Sequence, residues 1–72
     1  SWPKGAQAQL AAIRDLLAGN EGTWNVDMVA GRFTHAHKAT VRLHLDTLEM
    51  LGLLVSYGEG EERQWTAKGM VQ

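Results

Sequence analysis

The chain has 72 residues, 44% of them hydrophobic and 21% charged, with one proline, and its seven basic and eight acidic side chains leave a formal net charge of −1. That length holds one domain with a small core and the composition excludes a disordered tail, while the longest apolar clusters, around 10–17 and 48–55, are too short and too interrupted to span a bilayer. With no cysteine there is neither a disulfide framework nor a thiolate metal site, and near-neutrality opposes phosphate binding unless the basic residues gather on one side.

Ala6, Leu10, Ile13 and Leu17 recur at helical spacing with Arg14 and Asp15 opposite, predicting an amphipathic helix over about 5–18. Gly19 suits its left-handed C-terminal cap, and Asn20-Glu21-Gly22 continues as a turn. Thr23-Trp24 has the character of a very short strand. Asn25 can cap a second helix over about 26–33, with Asp27 at its positive end and Val26, Val29, Ala30 and Phe33 as its apolar stripe. A third helix, about 36–51, starts between His35 and Lys38, with Thr34 as its best cap by residue type. It buries Val41, Leu45 and Leu48 and stops at Gly52. A strand over 53–57, a glycine-rich acidic turn over 58–62 and a return strand over 63–67 complete a hairpin in which Trp65 closes the core. Arg63 and Thr66 are expected to turn their polar groups to water or a partner.

The segment from Met28 to Leu45 contains no acidic residue but holds Arg32, Lys38, Arg42 and the three histidines, whereas Glu59, Glu61 and Glu62 crowd the hairpin turn. One side of the molecule should therefore be basic. With Val41, Leu45 and Leu48 inward, Lys38, Ala39, Arg42 and Leu43 fall near the opposite face of the third helix. A guanidinium forms paired bonds with guanine, so Arg42 is the first candidate for reading bases. Lys38 suits a phosphate, and Thr40 a phosphate or a thymine methyl. His35 and His37 can donate to phosphates from the preceding turn, more strongly once protonated. Set against this is the ordinary reading, a solvated helix face.

The run from Ala39 to Leu53, with its terminal Leu48-Glu49-Met50-Leu51-Gly52-Leu53, is similar to the recognition helix of the winged helix-turn-helix family. Trp65-Thr66-Ala67-Lys68-Gly69 is similar to that family's closing Leu-Thr-x-Lys-Gly. The resemblance covers roughly 10–69. It implies an α+β, mostly helical winged helix whose third helix enters the major groove of double-stranded DNA, as a targeting or regulatory module of the kind used in transcription regulation. The DNA-contacting set is then Arg32, His35, His37, Lys38, Thr40 and Arg42, with Arg63 at the base of the wing. The acidic wing tip departs from the basic wings that track DNA, so binding would rest on the third helix and the turn before it.

Weak binding by one copy points to a module of a larger protein or a dimer, with the whole of 1–72 as one domain. The rival reading is a protein-interaction domain docking through the acidic wing or through exposed Leu43 and Met50. RNA is a third possible partner. His35, His37 and His44 lack the spacing and companions of a metal site, and no cofactor is expected. The carboxylates are scattered and no catalytic grouping is visible, so a non-enzymatic role is expected, in an intracellular setting, cytoplasmic or nucleoid-associated. Trp24, Trp65 and a half-buried His44 are read as packing residues, and Trp2 is left between packing on the first helix and marking a junction.

Overall fold

The computed structural model describes residues 1–69, so the last three positions of the expected 1–72 domain lie outside the described residues. Among the described residues, helices α1 (Ala6–Ala18), α2 (Val26–Ala30) and α3 (Lys38–Met50) precede an antiparallel hairpin. Its strands are β1 (Leu54–Tyr57) and β2 (Gln64–Ala67), paired in register from Leu54↔Ala67 to Tyr57↔Gln64. A 3-10 turn, Gly60–Glu62, forms the hairpin tip. Trp24 exchanges two 2.8 Å backbone hydrogen bonds with Trp65, so β2 is paired on both edges. The short strand expected at Thr23-Trp24 is this single bridge.

The core takes Ile13 and Leu17 from α1, Val29 and Ala30 from α2, and Val41, Leu45 and Leu48 from α3, all on the expected helical lines, while Leu10, Val26 and Phe33 of those lines are only partly buried. Trp24, Leu54, Trp65 and Ala67 join the core from the strands and the bridge. Trp65 is the largest fully buried side chain, and its area makes it a principal contributor to burial in so small a unit. Trp2 packs at 5.1 Å from the Phe33 ring and 6.2 Å from His44, while Gln9 donates from Nε2 to the Pro3 carbonyl. The segment before α1 is thereby laid across α1 and α3. Ala6, by contrast, is exposed, and the buried line of α1 starts with Leu10.

Several boundaries differ from the sequence reading. Helix α2 stops at Ala30 rather than 33, because Arg32 and Phe33 bond back three residues, to Val29 and Ala30, in tightened turns. His35 then takes a left-handed φ of 69°. This redirects the chain, and α3 starts at Lys38 with His37 at its N-cap and no side-chain cap, so Thr34 does not cap it. Asn25 does cap α2, accepting from the Met28 amide at 2.8 Å.

Gly19 is right-handed (φ −91°), its N–H still on the Asp15 carbonyl as in the helix, and the Asn20 side-chain amide closes the end of α1 by donating to the Leu16 carbonyl at 2.8 Å. Gly52 carries the positive φ, 82°, with its N–H on Glu49 O and the Leu53 N–H on Leu48 O, both 2.9 Å. This paired closure, which needs a left-handed residue after the helix, ends α3 sharply and delivers Leu54 to the core. Leu53 precedes the strand, Arg63 lies just outside the return strand, and Thr66 is buried rather than turned to water.

Candidate nucleic-acid interface

The stretch free of acids in sequence is not free of them in space. Lys38 Nζ lies 2.9 Å from Asp27 of α2, and Arg42 Nε lies 3.3 Å from Asp46, one turn later on the same helix. Both pairs are substantially exposed, so each is of small worth in water, and either cation can exchange its partner at little cost. Lys38, Ala39 and Arg42 line a cleft of about 390 Å³ with Asn25, Val26, Asp27, Gly60 and Glu61. The hairpin tip therefore brings an acid to the same cleft as the two cations, and formal charges there cancel. The expected basic side is a mixed one.

Arg42 is held more closely than a solvated arginine. Its guanidinium carbon lies 5.2 Å from the centroid of the buried Trp65 ring, while only Nε bonds to the Asp46 carboxylate. The ring face and the carboxylate fix the plane of the group, and the two terminal amino groups, which make no hydrogen bond among the described residues, remain as a fork. The signal for the Asp46 partner was in the sequence, since residues four apart on a helix are neighbours.

The other expected contacts are dispersed. Arg63 turns inward: it bonds through Nη2 to both Glu49 oxygens at 3.2 Å and through Nε to Ser56, and it also lies over Trp65 at 5.7 Å. With Nη2 on Glu49 and Nε on Ser56, Arg63 holds the hairpin to α3, and this engagement sets it apart from the cations of the cleft. Arg32 lies over Trp24 at 5.4 Å. His35 and His37 are exposed in the turn and at the α3 N-cap, and Thr40 is half-buried. Lys38 and Arg42 are thus the expected residues that the fold brings to one cleft.

Glu49, within the Leu48–Leu53 run, is the anchor of the hairpin. It accepts from Ser56 Oγ at 2.9 Å, from Arg63, and from the Trp65 indole Nε1 at 3.0 Å. Burial pushes its carboxyl upward, but the bonds from Ser56, Arg63 and Trp65 and the charge of Arg63 outweigh that and hold it below the ordinary carboxylate value. His44 is buried with Nε2 2.8 Å from Gln9 Oε1, and burial lowers its affinity for a proton.

The outer line of α3 carries a different chemistry. Ala39 and Leu43 are exposed, Leu43 by 62%, and Met50 further along by 84%. Thr47 turns its hydroxyl back onto the Leu43 carbonyl at 2.9 Å. Beyond it, Leu51 and Leu53 are also exposed.

Among the described residues no helix is long and apolar enough to cross a membrane, and no group of three or more His, Asp or Glu is placed to hold a metal ion. Set against family models, curated proteins and solved structures, the chain matches none.

Proposed function

We propose that the chain is a winged-helix domain that binds double-stranded DNA by laying the first two turns of α3 in the major groove. The observation that carries this reading is Arg42: a half-exposed fork, steadied by Asp46 and Trp65, one turn into a helix whose outer residues Ala39 and Leu43 are exposed. Such a fork matches the O6 and N7 acceptors of guanine, and holding its plane in advance lowers the ordering cost of the contact. Lys38 exchanges its exposed partner Asp27 for a phosphate, with His35 and His37 adding donors from the turn.

The acidic tip keeps the hairpin from tracking the backbone, so one copy binds weakly and the domain acts as a non-catalytic, intracellular module of a larger protein or of a dimer. A protein-docking reading is favoured by a separate observation, the exposed Met50, Leu51 and Leu53 at the far end of α3.

The test is titration of isotope-labelled protein with a short random-sequence duplex, followed amide by amide at low and then physiological salt. DNA binding through α3 gives shifts concentrated over 32–44 that fade with salt. Arg42→Ala then relaxes sequence preference, and Lys38→Ala weakens all duplexes alike with a shallower salt dependence. No movement at low salt, or unchanged binding in both variants, overturns the reading.

A further inference from the structure

The DNA reading leaves one feature of α3 unused: the line one turn wide that passes through Ala39, Leu43, Thr47 and Met50. This line shows almost no polarity. The Thr47 hydroxyl is spent on the Leu43 carbonyl and the neighbouring Asp46 carboxylate on Arg42, so the polar groups beside Leu43 are satisfied within the helix itself. What remains outward is mostly methyl and methylene surface, bordered by Lys38 and Arg42 with their exposed carboxylate partners Asp27 and Asp46. An apolar strip whose bordering cations can exchange such partners is complementary to a surface that is anionic at its rim and carries methyl groups on its floor. The major groove of B-DNA is such a surface wherever thymine occurs, because the C5 methyl projects into it.

We infer that Leu43, with Ala39 one turn before it, reads thymine methyl groups, so that the preferred duplex carries thymine close to the guanine taken by Arg42. The inference rests on the DNA reading above and deepens it. Ala39 and Leu43 stand about 6 Å apart along the helix axis at 1.5 Å per residue, close to two base-pair steps of roughly 3.4 Å. Leu43 lies only about 1.5 Å beyond Arg42 along the axis, so the base pairs taken by the leucine and by the fork fall within one or two steps of each other. The same chemistry separates DNA from RNA, since uracil lacks the methyl and the major groove of an RNA helix is too deep and narrow for side chains to read.

The experiment has two stages. Duplexes from a random-sequence pool are retained on the 72-residue chain at low salt and sequenced. The best-retained duplex is then compared with the same duplex carrying deoxyuridine for thymine, a change that removes only the methyl. The expected results are enrichment of thymine within one or two steps of guanine and an affinity loss of about fourfold for each contacted methyl removed. Leu43→Ala, an exposed change that leaves the core untouched, is expected to melt like the parent chain and to lose the share of the thymine preference owed to Leu43, keeping only that of Ala39. Equal binding of the two duplexes by the parent chain, or a full thymine preference in Leu43→Ala, overturns the inference while leaving DNA binding in place. Retention of no duplex overturns the DNA reading and this inference together.

Discussion

Replacing Glu49 with alanine should loosen the hairpin from α3 more than any other single surface-level change. Three donors meet at this carboxylate, and they are not equal. Ser56 and Arg63 can turn to water, but the Trp65 indole belongs to a residue with no exposed surface, and its N–H at 3.0 Å from Oε1 would lose its partner. An orphaned buried donor costs about 1–3 kcal/mol. The Arg63 pair, about a third exposed on each side, adds at most about 1 kcal/mol after solvent screening. Glu49→Ala is therefore expected to cost about 1–4 kcal/mol, a large share of the roughly 4–11 kcal/mol typical of a domain this size. Glu49→Gln keeps an acceptor oxygen for the indole and loses only the charge, so about 1 kcal/mol is expected. Urea unfolding followed by tryptophan fluorescence measures both. A Glu49→Ala variant within about 0.5 kcal/mol of the parent, or a Glu49→Gln variant just as unstable as the alanine, would refute the share assigned to the indole.

Asn25→Ala removes the α2 cap and is expected to cost about 1 kcal/mol, read as a lower urea midpoint with an unchanged slope. Gly52→Ala meets no atom within 4 Å but must hold a φ of 82°, so a cost of about 1–2 kcal/mol from backbone strain alone is expected, with Gly52→Asn less affected. Acidification is expected to lower stability in two steps. His44 binds a proton less readily folded than unfolded, so stability is flat above its ordinary value of 6.5 and declines as pH falls from there through the folded value. Glu49 is held below its ordinary 4.5, so its contribution is present above that value and is lost as pH falls through the folded one. Urea midpoints measured from neutral to acidic pH show both steps, and His44→Gln should abolish the upper one alone.

Much of the fold could be read locally. The spacing of Leu10, Ile13 and Leu17, the Asn25 cap and the Gly52 stop each act within a few residues, and each appears in the structure. What was not legible depends on approaches between distant segments. Glu49 meets Arg63 and Trp65 fourteen and sixteen residues on, and His44 meets Gln9 thirty-five residues away. Lys38 faces Asp27 only because the tight turns after Ala30 return the chain beside α2. A charge count along the sequence therefore overstated the basic character of this face. The left-handed His35 had no sequence signal, and without it Thr34 was a reasonable cap.

The Trp24–Trp65 bridge also governs how the molecule comes apart. A hairpin fastened only through its turn would melt by itself, ahead of the helices. Here the return strand is bonded on its far edge to a residue forty-one positions earlier, ahead of α2, and its tryptophan lies at the centre of the core. Closing so long a loop is entropically costly and is recovered only when strand and helices dock together, which favours one cooperative transition over stepwise loss. Cleavage of the exposed tip between Gly58 and Glu62 would accordingly leave both fragments associated, with β2 retained by Trp24, Leu53 and Glu49 after its covalent link to β1 is gone. The tip is where this chain can be opened, extended or rejoined with the least disturbance to the unit that remains.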